Sequence, residues 1–121
     1  MTRPERRAAP RIASELPLHL VDEAAELKTQ TKNISASGAY CTLRRFIAPM
    51  TKLQVRLEVP AQAQSSVIQC QGVVVRVEPP SAESQLSQYN VAIFFVDLTD
   101  YDRSIIARYV QQQLQLTTSG D

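Results

Sequence analysis

Two short clusters in this sequence carry side chains suited to gripping an anion or the edge of a base. The first is Arg7-Ala8-Ala9-Pro10-Arg11, preceded directly by Arg6. A guanidinium is a planar fork of donors that pairs bidentately with phosphate and with the O6/N7 edge of guanine, and it stacks on base planes. Several of them on a short arm can fold around a nucleotide. Taken alone, the same composition also describes a disordered basic tail. The second cluster is Asn33-Ile34-Ser35-Ala36-Ser37-Gly38. Asn33 and Ser35 stand two apart, so on an extended chain they face the same side. Asn33 offers a carbonyl acceptor and an amide donor, and Ser35 a hydroxyl that does either. Gly38 permits a positive φ or a close approach of backbone to a ligand. Taken alone, the hexad reads equally well as a hairpin connection.

Residues for bond-breaking chemistry are harder to assemble. His19 is the sole histidine, and its alternation places it on an exposed strand face as a solvated surface residue. There is no glycine-rich phosphate loop, metal-ligand cluster or nucleophile elbow, and Ser35 has no base beside it in sequence. The expectation is a binding module and not an enzyme, without metal or resident cofactor. Cys41 and Cys70 are too few for a disulfide framework and lack metal-ligand spacing, so both read as buried, reduced thiols in a cytoplasm.

The frame that must position these clusters is small. A chain of 121 residues fits one domain, and 44% hydrophobic with 21% charged residues suits a globular one. No apolar run approaches the roughly 20 residues of a membrane span, and no apolar core of a signal peptide follows the basic N-terminus. Charge is unevenly spread. Four arginines against Glu5 give residues 1–11 a net +3, while nine basic and eleven acidic residues leave the remainder at −2. A near-neutral body with a concentrated basic arm suits a compact anion, and a nucleic acid polymer, which needs a broad basic face, is disfavoured.

Residues 1–14 show no strand or helix period and read as a flexible basic arm, mobile without a partner. From residue 15 to 121 the pattern is that of short strands followed by a terminal helix. Leu16, Leu18 and Leu20 share one face; residues 27–34 form a polar strand; Ala39, Cys41 and Leu43 alternate. Leu53, Val55, Leu57 and Val59 alternate most clearly. Between Val67 and Val77 the parity switches, with Ile68 and Cys70 in one phase and Val73, Val75 and Val77 in the other. Gly72 is the expected site of the bulge that absorbs the extra residue. Residues 79–88 form a polar loop before the apolar strand 91–96. A helix follows, with Thr99 as N-cap, Asp102 three residues later, and an apolar face of Ile105, Ile106, Tyr109, Val110 and Leu114. About six short strands and one helix predict an all-β fold, a small antiparallel barrel or sandwich.

Both clusters, in this order and at this separation, resemble the motifs of the PilZ domain family, which binds the bacterial second messenger cyclic di-GMP. Arg7 and Arg11 match Arg-x-x-x-Arg; Asn33, Ser35 and Gly38 match Asp/Asn-x-Ser-x-x-Gly. Gly72–Glu78 and Val91–Leu98 resemble the family's later strands. The resemblance implies a six-stranded antiparallel β-barrel closed by one α-helix, Arg7 and Arg11 on guanine edges and phosphates, and Asn33 and Ser35 on the other guanine. It implies a cytoplasmic receptor signalling to a separate protein effector. Asn33 stands where Asp is frequent, and an amide has one acceptor oxygen where a carboxylate has two, which implies a lower affinity. Arg76, on the outward phase, resembles a position where some relatives touch the ligand; it is equally an ordinary solvated arginine. Arg6, directly before the motif, is similar to family members that take two stacked ligands per chain. The alternative is a PilZ-fold interaction adaptor, for example in type IV pilus assembly, that binds no nucleotide. A small RNA-binding barrel would need an exposed aromatic platform that the pattern lacks.

Overall fold

The computed structural model describes residues 10–23, 25–61, 64–81 and 88–119. The described residues form seven strands: β1 (Arg11–Ala13), β2 (Pro17–Val21), β3 (Glu26–Ser35), β4 (Gly38–Leu43), β5 (Lys52–Val59), β6 (Ser66–Glu78) and β7 (Tyr89–Phe95). Helix α1 spans Asp100–Ser119. In β5, Leu53, Val55, Leu57 and Val59 are buried while Lys52, Gln54, Arg56 and Glu58 are exposed, because a period of two sends alternate side chains to opposite faces. Antiparallel pairing runs β2–β3–β4–β7–β6–β5 and returns to β2. These six strands therefore close into a barrel without a free edge. Leu20, Ile34, Leu57, Ile68, Val74 and Val91 fill its interior, each contributing about 1.5–3 kcal/mol by leaving water.

β1 stands in line with β2. Both pair with β3, β1 against Asn33–Ser35 and β2 against Glu26–Gln30. The two are one barrel strand broken at residues 14–16. Thr31, fully buried, brackets the break: its hydroxyl donates to the Ser14 carbonyl and accepts from the Leu16 amide. Residues 1–9 of the arm lie outside the described residues; among the described residues, pairing begins at Arg11, within the span 1–14 whose composition marks an arm. Ile12, packed against the core, is the reason, and a three-residue strand is too short to show a period.

The parity switch in β6 is real, but it does not occur at Gly72. Ile68, Cys70, Gly72 and Val74 point inward, Val75 and Arg76 are both exposed, and Val77 is buried again. The register with β7 slips between Val74 and Arg76, so Val75 is the bulged residue, and Val73 and Val75 do not share the inward face of Val77. Gly72 instead makes room. A Cβ there would lie 2.7 Å from Ile93 Cγ2 and 2.8 Å from Val55 Cγ2. His19 also departs from expectation: it is half-buried, with Nε2 2.8 Å from Glu26 Oε2.

Thr99 caps α1, its Oγ1 accepting from the Asp102 amide at 3.0 Å. Ile106, Tyr109 and Val110 are buried, with Ile105 and Leu114 packed at the margin, and the helix lies against β1, β3 and β5. No helix among the described residues is long and apolar enough to cross a membrane.

Cys41 and Cys70 are free and buried. Burial pushes both thiols up to about 12, and at Cys70 the carboxylates of Asp97 and Asp102 push the same way. Reactivity follows the thiolate, so the folded chain should resist a thiol reagent near neutral pH and react at both positions in denaturant. The linkage has a definite sign. The folded pKa lies above the unfolded one, so this stability is fully present below about pH 8.5 and is lost as pH rises toward 12. Rapid labelling of native protein would contradict it.

Candidate ligand-binding site

The hairpin between β3 and β4 turns through Ala36 and Ser37, with Ser35 opposite Gly38. Ser35 Oγ accepts from the Ser37 amide at 3.1 Å and lies 3.0 Å from Ser37 Oγ. Ser35 is 1% exposed, so its hydroxyl holds the turn from within, while Ser37 lines the surface pocket described below. Arg103 of α1 donates to the Ala36 carbonyl at 3.4 Å. Gly38 does not adopt a positive φ. Its close approach is to β7, where a Cβ would stand 2.3 Å from the Ile93 carbonyl oxygen.

Two bulges flank that pocket. In β3 the register with β4 slips between Thr31 and Asn33, leaving Lys32 exposed and Asn33 half-buried on adjacent positions. In β6 the slip leaves Val75 and Arg76 both exposed. A bulge re-aims side chains that strict alternation would send to the core. Here the two devices turn Asn33 and Arg76 toward one pocket on the barrel's outer surface, of about 310 Å³. Arg11 completes it. Its Nη1 donates to Asn33 Oδ1 at 2.5 Å across 22 residues of sequence. Val75 and Phe94, each about half exposed, join Tyr40 and Ala92 as its apolar wall.

Arg11 and Arg76 are the charged residues lining this pocket, and no carboxylate lines it among the described residues. Arg76 Nε lies 3.7 Å from Glu78 Oε2, both well exposed, a geometry that holds the guanidinium only weakly. Two guanidiniums, an amide, a hydroxyl and an apolar wall suit an anion attached to a flat ring. Of the residues singled out from sequence, Arg11, Asn33, Gly38 and Arg76 line one pocket. Ser35 lies beneath it, and Arg6 and Arg7 lie outside the described residues. Sequence reasoning missed Ser37, Tyr40, Val75 and Phe94. The parity slip of β6 could have exposed Val75, but the run Ile93-Phe94-Phe95 hides the outward phase of Phe94.

A closed six-stranded barrel, capped by a C-terminal helix and bearing this two-motif pocket on its wall, defines a class of small β-barrel domain. The chain belongs to one family within it: the PilZ domain model matches residues 5–112, a span that includes both clusters. Among solved structures, the inhibitor of motility MotI/DgrA of Bacillus subtilis superposes with a TM-score of 0.76 at 21% identity, covering 95% of this chain and 53% of that one. This chain thus spans about half of the Bacillus protein's structure. The PilZ domain of YcgR from Escherichia coli, solved with c-di-GMP, gives 0.64 at 10% identity, covering 94% and 98%. The PilZ domain of CeSA from a cellulose-synthesizing bacterium gives 0.55 at 14%, covering 86% and 97%. At these identities the likeness establishes the fold. No curated protein matches the chain.

Proposed function

We propose that this chain is a cyclic di-GMP receptor that reports its occupancy to a separate protein partner. One observation carries the reading: Arg11 and Asn33, one from each sequence cluster, touch at the mouth of a pocket that also holds Arg76. The ligand's two phosphates need guanidinium forks, and its guanines need edge partners and a flat surface. Arg7 and Arg11 serve the phosphates and a guanine edge, Asn33 meets the other guanine, and Phe94 with Val75 supports a ring face. Ser35 keeps the hairpin in shape, and Ser37 supplies the hydroxyl on the pocket side. The family membership and the nucleotide in the related YcgR domain support the choice of ligand. Calorimetric titration tests it, with saturable heat expected. Absence of binding by folded protein at millimolar ligand would end it.

Stoichiometry is a sharper test. Two stacked ligands bring four phosphate charges into a small volume, and a further guanidinium from Arg6 offsets that repulsion and covers an exposed guanine face. Two ligands per chain are expected, shifting toward one in Arg6→Leu with a weaker dependence on salt. A single ligand per wild-type chain at saturation would refute this role for Arg6.

A further inference from the structure

β1 carries Arg11, yet it is three residues long and, among the described residues, pairs with β3 alone. Only Ile12 of the three packs on the core. A strand so short frays unless something else ties it down, because few buried contacts oppose its opening. The structure supplies a tie at its end. Ser14 Oγ lies 2.6 Å from the hydroxyl of Tyr109, whose ring is buried in the face of α1. The main chain of Ser14 is fixed as well, its amide donating to the Lys32 carbonyl at 3.2 Å and its carbonyl accepting from buried Thr31. The same helix reaches the hairpin from Arg103, which donates to the Ala36 carbonyl. Helix α1 therefore touches both halves of the pocket from behind: the strand that carries Arg11 and the turn that follows Asn33.

We infer that Tyr109 is a positioning residue for Arg11. Its hydrogen bond to Ser14 holds β1 on β3, with the Arg11 guanidinium against Asn33, and through the same bond a ligand that engages Arg11 acts on the seat of α1. The identity of the ligand rests on the receptor reading above; the tie between β1 and α1 does not. Tyr109→Phe keeps the ring and its packing and removes only the hydroxyl, so the change isolates the bond.

The test uses the full chain and begins without ligand. In Tyr109→Phe, amide exchange of a peptide covering residues 10–16 should quicken about five-fold, the size of one neutral hydrogen bond, while peptides from β5 and β6 exchange as in wild type. Ser14→Ala should reproduce this, and the double variant should add nothing. With cyclic di-GMP, Tyr109→Phe should bind about five-fold more weakly, and ligand should slow exchange in α1 of wild type but not of the variant. In an Arg11→Ala background, followed by NMR titration, Tyr109→Phe should leave affinity unchanged, because its effect passes through Arg11. Unaltered β1 exchange in both Tyr109→Phe and Ser14→Ala overturns the inference, and so does an affinity loss that persists without Arg11. If wild type binds no cyclic di-GMP, the receptor reading falls, and the exchange of β1 still decides the tie.

Discussion

Arg11→Ala should weaken cyclic di-GMP binding by roughly 30- to 150-fold and leave the melting transition almost where it was. The two halves of this result have separate physical origins. A charge-assisted hydrogen bond to a ligand phosphate or guanine edge, made in a partly desolvated pocket, is worth about 2–3 kcal/mol, and each 1.4 kcal/mol is a factor of ten. Stability depends on something else. Arg11 is exposed, and its contact within the chain is with Asn33 at the surface, so removing it should move unfolding by no more than about 0.5 kcal/mol. Arg11→Lys should recover only part of the affinity, since an ammonium keeps the charge but not the planar fork. Calorimetry on variants of confirmed fold reads all three. Wild-type affinity in folded Arg11→Ala would remove the pocket from the receptor assignment, because no other described residue joins the two sequence clusters.

The elements most legible in the sequence were those in which one physical signal acted alone. β5 alternates strictly, and every one of its side chains is where that period puts it. Thr99 and the 3.6-residue spacing of Ile106, Tyr109 and Val110 mark α1 in the same way. Difficulty began where two solutions shared one composition. Val73-Val74-Val75 satisfies either phase of a strand, so apolarity could not show that Val74 faces in and Val75 bulges out; pairing with β7 decides it. Asn33 and Ser35 are two apart, yet one lines the pocket and the other is sealed beneath a two-residue turn. That difference arises from hairpin geometry: Asn33, Ile34 and Ser35 pair with β4 in regular register, and Ser35 adjoins the turn, where its hydroxyl accepts from the Ser37 amide. The apolar half of the pocket was invisible for a related reason: Phe94 sits in a run of apolar residues whose outward member is fixed only by its neighbours across the sheet. Types and spacing thus located the polar half of the site. The half built by register became visible only with the strands paired.

Gly38→Ala should cost about 3 kcal/mol or more of folding stability, the upper range for forcing atoms into a packed interior, and lower the melting temperature by on the order of 10 °C. Its place in the Asn-x-Ser-x-x-Gly motif invites a different reading, that the glycine lets a ligand come close. The geometry assigns the close approach to the barrel itself, where a Cβ would meet the Ile93 carbonyl oxygen at 2.3 Å and Phe94 Cα at 3.4 Å. Those are backbone atoms of a strand paired on both sides, with β4 and with β6, so no rotamer change can relieve the overlap; the strands must separate. Gly72→Ala makes an informative contrast. The atoms it would crowd are methyl groups of Ile93 and Val55, which can shift, so about 1–3 kcal/mol is expected there. Both glycines crowd Ile93, one at its backbone and one at its side chain, so β7 is gripped from both neighbours at the same residue. Denaturant unfolding of the two variants should therefore rank Gly38→Ala below Gly72→Ala and both below wild type. Any loss of ligand by Gly38→Ala should track its unfolded fraction and be restored where the variant is folded. A Gly38→Ala protein that unfolds like wild type yet no longer binds would instead return this glycine to the ligand.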